Sequence, residues 1–216
     1  MKILHSADWH LDSPLGGFSE EHAKFLRAEL LQVPDRVVTL CKSENCDLLL
    51  LAGDLFDGPF TLDSYRALYQ ALAEAAVPVF ITPGNHDYCS PDSPWAKELW
   101  PENVHIFKGA PEAVTLPQLG CRVWGGGFTS NACFEPLPEI RRDGLLEIGV
   151  FHADAETTGP YRSVSQIELE RCGMDYAALG HIHNAPSVEK IGGAVAAYCG
   201  CPEGRAFDET GIKGAV

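Results

Sequence analysis

The run Asp47-Leu48-Leu49-Leu50-Leu51-Ala52, closed by Gly53, constrains the fold of this chain more than any other feature. Consecutive apolar residues without alternation leave no face for water, so the run reads as a strand buried on both sides. Strands of that kind belong to parallel sheets, whose members are joined by long crossovers, usually helices. The flanking sequence supplies both. Ile3-Leu4-His5 reads as a strand before the run, and Val77-Pro78-Val79-Phe80-Ile81 as one after it, ahead of Pro83-Gly84. Between the first two strands, Phe25, Leu26, Leu30, Val33, Val37 and Leu40 recur at three- and four-residue spacing across residues 19–44, the helix period. Pro34 falls inside that pattern and predicts a break or kink. Residues 61–76 read as a second helix. Strand, helix, strand, helix, strand predicts an α/β core with right-handed crossovers.

The second half is richer in strands. Residues 104–107, 113–116, 121–124, 145–151, 176–179, 186–191 and 194–198 all qualify, with Gly192-Gly193 as a hairpin turn. A helix is expected over Ser163 to Cys172, stopped by Gly173. Residues 88–103, with Pro91, Pro94 and Pro101 around Trp95 and Trp100, read as a long ordered loop with a short helix. No repeat or linker interrupts the 216 residues, which predicts one domain over 1–216. Eight irregularly spaced cysteines form no CxxC pair and read as reduced, mostly buried thiols of a cytoplasmic protein. Neither a signal-peptide core nor a run of the roughly 20 apolar residues that a membrane helix needs is present. No membrane role is expected.

The chemistry gathers just after the strands. Asp8 and His10 follow the first, Asp54 and Asp57 the second, and Asn85, His86 and Asp87 the third. His152 closes the strand ending at Phe151, and His181 and His183 follow the one ending at Leu179. In α/β sheets ligands collect at the carboxyl ends of strands, so five segments converge on one crevice. An isolated histidine after a strand is usually structural; five segments in register argue for a site. Mixed Asp, His and Asn donors suit Mn²⁺, Fe²⁺ or Zn²⁺, with Mn²⁺ preferred. Asp8, His10, Asp54, Asn85, His152, His181 and His183 are seven candidate ligands, more than one tetrahedral ion uses, which implies two metals sharing a carboxylate. Asp54 is the natural shared ligand.

Taken together, Ala7-Asp8-Trp9-His10, Gly53-Asp54-Leu55-Phe56-Asp57, Gly84-Asn85-His86-Asp87, His152 and Gly180-His181-Ile182-His183 resemble the calcineurin-like metallophosphoesterase superfamily. The stretches LHSADWHLDSP, GDLFD and CPEGRAFDETGIKGAV resemble its Mre11/SbcD branch of DNA repair exonucleases, particularly the bacterial YhaO-like members. The resemblance runs from residue 3 to the last residue. It implies a four-layer α-β-β-α sandwich of two mixed sheets flanked by helices. It implies one metal on Asp8, His10, Asp54 and His183, and the other on Asp54, Asn85, His152 and His181. His86 then faces the scissile phosphate, with Asp87 orienting its ring, and the reaction is in-line hydrolysis of a phosphodiester. DNA is the implied substrate and an SbcC/Rad50-like ATPase the implied partner of a longer protein, since the branch usually continues into a capping domain and a partner-binding segment.

Charge pulls the other way. Sixteen basic residues against thirty acidic ones leave −14, which excludes a broad basic face for nucleic acid. A small or protein-bound phosphate ester is therefore the alternative substrate, and a non-catalytic interaction module the remote one. Asp12 and Ser13 read as turn formers rather than substrate contacts. Asp57 reads equally as a partner of a metal-bound histidine or as a loop cap. His5 reads as packing at a strand end, and His22 and His105 lie outside every motif. Gly125-Gly126-Gly127 lacks the Lys-Ser/Thr of a phosphate loop and reads as a flexible bend. Arg205 and Phe207 read equally as cleft, surface or core, and Arg141-Arg142 as a solvated face.

Overall fold

The computed structural model describes residues 1–184, 186–206 and 209–216; Phe207 lies outside the described residues. The first sheet holds β1 (Ile3–Ser6), β2 (Leu48–Leu51), β3 (Val79–Ile81) and β4 (Val104–Ile106), in that order and all parallel. Its crossovers carry α1 (Glu20–Leu30), α2 (Val33–Ser43), α3 (Leu62–Glu74) and the short α4 (Pro94–Lys97). The second sheet is built from β5 (Glu112–Leu116), β6 (Cys121–Gly125), β7 (Leu146–His152), β8 (Tyr176–Gly180), β9 (Ser187–Ile191) and β10 (Ala194–Tyr198). Its spatial order is β5-β6-β7-β8-β10-β9, with four parallel central strands and antiparallel β5 and β9 at the edges. A last helix, α5 (Gln166–Arg171), leads into β8.

The period-two rule sorts the leucines of β2 between two layers. Leu48 and Leu50 face the second sheet, meeting Phe80, Val123, Val150 and Ala178. Leu49 and Leu51 face the helices, with Val37, Leu68 and Leu72. A third cluster, around Phe151, Leu179 and Ala196, packs under Leu169 of α5. Helices, sheet, sheet, helix is the four-layer order that the resemblance implies, although only the second sheet is mixed; the first is parallel throughout, where two mixed sheets were expected. All four leucines of β2 are fully buried, each contributing about 1.5–3 kcal/mol by burial.

Local departures have local causes. Helical periodicity over 19–44 divides into two helices at Leu31-Gln32, and Pro34 sits in the first turn of α2, where its missing N–H costs nothing. Asp12, at φ 68, does more than turn the chain. Its carboxylate accepts from the Thr61 N–H at 3.0 Å and from the hydroxyls of Thr61 and Ser64, capping α3 from another loop. Gly125-Gly126-Gly127 is packed tightly rather than free to flex: a side chain at Gly127 would meet the Phe107 carbonyl oxygen at 2.2 Å. Behind the Asn85-His86-Asp87 loop, buried Trp95 stacks on Trp100 at 5.2 Å and donates its indole N–H to the Asp87 carbonyl. The eight cysteines are free, with only Cys89 less than fully buried. Val216 exchanges two backbone hydrogen bonds with His5, at 2.7 and 2.9 Å, along the outer edge of β1. Among the described residues no helix is long and apolar enough to cross a membrane.

Candidate metal centre

The loops after β1 and β2 are zipped together by their backbones. Asp8 N–H donates to Gly53 O at 3.0 Å, His10 N–H to Asp54 O at 2.9 Å, and Leu11 N–H to Leu55 O at 2.9 Å. Asp8, His10 and Asp54 all sit in the left-handed region, at φ 55, 47 and 51, and His181 after β8 is at φ 101. Side chains are found there only where surrounding contacts hold the backbone, and active sites are where they concentrate. Gly84 is needed for a different reason. A Cβ there would fall 2.1 Å from Asp54 Oδ1, the atom that accepts the His86 N–H at 2.9 Å.

These turns aim nitrogen and oxygen donors at one place. His183 Nε2 lies 3.2 Å from His10 Nε2 and 3.6 Å from Asp8 Oδ1. Asp54 Oδ2 lies 3.8 Å from His10 Nε2 and 3.3 Å from His152 Nε2, and Asn85 Oδ1 is 2.9 Å from that same His152 nitrogen. Three overlapping groups have their ligand atoms within 4.8 Å of one another: Asp8, His10 and His183; His10, Asp54 and His86; Asp8, Asp54 and His152. Asp8, His10, Asp54 and His152 are buried. His181 stands beside the cluster, its ring edge-on to His152 at 5.2 Å, its Nε2 3.8 Å from Asp154 and its backbone N–H on Asp8.

The donor set fits divalent cations. His152 donates its Nδ1–H to the Ala52 carbonyl at 2.9 Å, and His183 donates its own to Glu209 at 2.7 Å. Each tautomer leaves Nε2 directed into the cluster, the arrangement that a ligating histidine requires. Electrostatics agree. Burial alone would lower His152 and His183, yet Asp54 and Asp8 outweigh it and hold both imidazoles at about 9. Burial would raise Asp54, but its histidine neighbours, His152 first, keep it well below the usual carboxylate range. A cluster that attracts protons this strongly presents the same field to a metal ion.

His86 has a different partner from the one expected. Its Nδ1–H meets Asp57 Oδ1 at 2.7 Å, and that bond raises its pKa. Asp87 does not reach the ring, because its carboxylate is spent on backbone donors: Gly84 at 2.7 Å, Leu55 at 2.9 Å and Phe56 at 3.3 Å. Burial and the nearby Asp54 push Asp87 up to about 7 against those donors. It braces two loops. Asp57 therefore resolves as a histidine partner. Its second oxygen takes Arg205 at 3.3 Å, which places Arg205 at the site. Sequence reasoning missed Glu209 and Asp154. The first lay unremarked within a segment carrying the resemblance, and the second is a lone carboxylate two residues past His152.

Two facing sheets place carboxylate and imidazole donors at the strand ends, in groups that could hold divalent cations. The family model for calcineurin-like phosphoesterases matches residues 1–185, and the chain belongs to that family. It is 33% identical over 236 aligned positions to the uncharacterized metallophosphoesterase YhaO of Bacillus subtilis, covering 99% of this chain and 56% of that protein. It is 27% identical to the SbcD component of the nuclease SbcCD of the same organism, over 100% of this chain and 65% of the relative. The chain thus spans somewhat more than half the length of both. Among solved structures, TT1561 of Thermus thermophilus shares the fold, with a TM-score of 0.58 at 15% identity over 92% of this chain and 88% of that one.

Proposed function

We propose that this chain hydrolyses phosphodiesters with two divalent cations, Mn²⁺ foremost, and that DNA is its substrate. The observation that carries the reading is the position of Asp54, whose carboxylate reaches toward both His10 and His152 and belongs to two of the three donor groups. Asp8, His10, Asp54 and His183 would hold one cation, and Asp54, Asn85, His152 and His181 the other. Bound there, the pair would hold the phosphoryl oxygens and lower the pKa of an attacking water. The protein's own work is positional. Asp57 holds the Nδ1–H of His86 and favours its protonated form, so that the other N–H of the imidazolium, on a half-exposed ring, faces incoming ester and can protonate the leaving oxygen. Asp87 keeps the loop carrying His86 against the loop carrying Asp54.

Support for DNA comes from the SbcD relative, which is named as part of a nuclease. By the same likeness, residues 1–216 act as one catalytic domain, and an SbcC/Rad50-like ATPase is the partner. Eight free thiols fit a reducing cytoplasm. The net charge of −14 favours a second reading, a phosphatase or phosphodiesterase for a small or protein-bound ester, since long polyanions are held by many basic contacts. A Mn²⁺-supported assay across single-stranded DNA, duplex ends, bis-p-nitrophenyl phosphate and p-nitrophenyl phosphate separates them. Turnover of DNA and the diester is expected; turnover of the monoester alone would overturn diester hydrolysis.

A further inference from the structure

After β10 the chain returns to the metal centre with two residues that the hydrolytic reading leaves unused. Glu209 Oε1 accepts the Nδ1–H of His183 at 2.7 Å, while its Oε2 accepts the backbone N–H of Arg205 at 2.7 Å. The Arg205 guanidinium spans two carboxylates, with Nη1 3.3 Å from Asp57 Oδ2 and Nη2 3.3 Å from Glu209 Oε1. Asp57 holds His86 by its other oxygen. A continuous chain therefore runs His183, Glu209, Arg205, Asp57, His86. Lys213 pins the same segment, its Nζ donating to the His183 carbonyl at 3.1 Å.

The geometry separates this role from substrate binding. The Arg205 side chain is only 14% exposed, and both terminal nitrogens are engaged by carboxylates. Its Nε is buried and bonds nothing among the described residues, and Nη2 also lies 3.2 Å from His183 Nδ1, so the partners the guanidinium has belong to the site. A forked, planar cation suits the bridging of two carboxylates, where an ammonium would satisfy only one direction well.

We propose that Glu209 and Arg205 are positioning residues: Glu209 fixes the His183 ring for its metal, and Arg205 couples that carboxylate to Asp57 and so to His86. This rests on the reading of His183 as a ligand. A carboxylate behind a ligating imidazole sets its plane and tautomer, and its loss typically weakens metal affinity about 10–100-fold.

Mn²⁺ titration of the full chain by calorimetry tests it. Glu209→Ala should weaken binding by roughly that 10–100-fold at unchanged melting temperature. Arg205→Ala should lower kcat on bis-p-nitrophenyl phosphate about tenfold with KM nearly constant, and Arg205→Lys should recover only part of the loss. Wild-type Mn²⁺ affinity in Glu209→Ala overturns the proposal, and Glu209→Leu, which keeps the bulk but cannot accept the Nδ1–H, decides the matter in the same way if the alanine variant fails to fold. A raised KM at constant kcat in Arg205→Ala would make the guanidinium a substrate contact, and no change in either would remove it from the mechanism. His183→Ala separates the two levels. Unchanged Mn²⁺ binding there defeats the ligand reading itself, whereas lost binding there beside intact Glu209 variants defeats only the positioning role.

Discussion

His152 and His183 both present Nε2 to the same cluster, yet they are held by different means. His152 is fully buried, and its Nδ1–H is taken by a backbone carbonyl, Ala52, at the end of a central strand. His183 is partly exposed and is held by a carboxylate, Glu209, 26 residues away in a segment without regular structure. The first arrangement follows from the sheets: once β2 and β7 pack, the ring has its partner. The second exists only while several charged side chains keep their places. One side of the centre is thus as rigid as the core, and the other depends on ion pairs near solvent, which salt weakens.

The largest expected effect tests what the two sides share. Asp54→Ala should lose bound metal and fall to background turnover, because its carboxylate faces both sides; metal analysis showing an undiminished complement would contradict the shared role. His86→Ala should keep both metals and lose about 10²–10⁴ in kcat, the usual weight of a positioned acid. Near-normal turnover would remove it from the chemistry.

An acid titration then probes the rigid side. Burial lowers His5 from 6.5 to about 4, and its ring lies between the sheets, with Nδ1 3.1 Å from the Tyr176 hydroxyl. On acidification the unfolded chain takes up this proton first, so stability is retained above pH 6.5 and lost as pH falls toward 4. The loss approaches about 3 kcal/mol. Urea melts of His5→Leu should show a shallower acid limb than wild type. Parallel curves would place the sensitivity elsewhere. The smallest effect belongs to the side-chain-held side. Asp57→Asn should cost about 10–100-fold in kcat, less than losing His86 itself. A loss equal to that of His86→Ala would mean that the ring cannot work without its carboxylate.

The same contrast explains what could be read in advance. The central strands were legible because burial on two faces writes an unbroken apolar run, as in Leu48 to Leu51, and the donors were legible because each follows such a strand. The helix break at Leu31-Gln32 was visible through Pro34, although the proline begins a helix where a kink was equally expected. The partners of the histidines were not legible. Asp87 adjoins His86 in sequence, but its carboxylate is consumed by backbone N–H groups, whereas Asp57 arrives from another loop and Arg205 lies 148 residues beyond Asp57. Contacts made by side chains across such separations leave no period or spacing to detect. Backbone-held geometry can be inferred from pattern; geometry held by charge has to be seen.

Asp8, His10, Asp54 and His181 share a backbone region that suits glycine or asparagine better than themselves. At about 1 kcal/mol or more for each such residue, the four together subtract from folding more than one buried leucine supplies. Heat tolerance and catalysis therefore select in opposite directions at these four positions. A library sorted only for survival at high temperature should enrich glycine at His10 and His181, and the hardiest clones would be those that have discarded the metal.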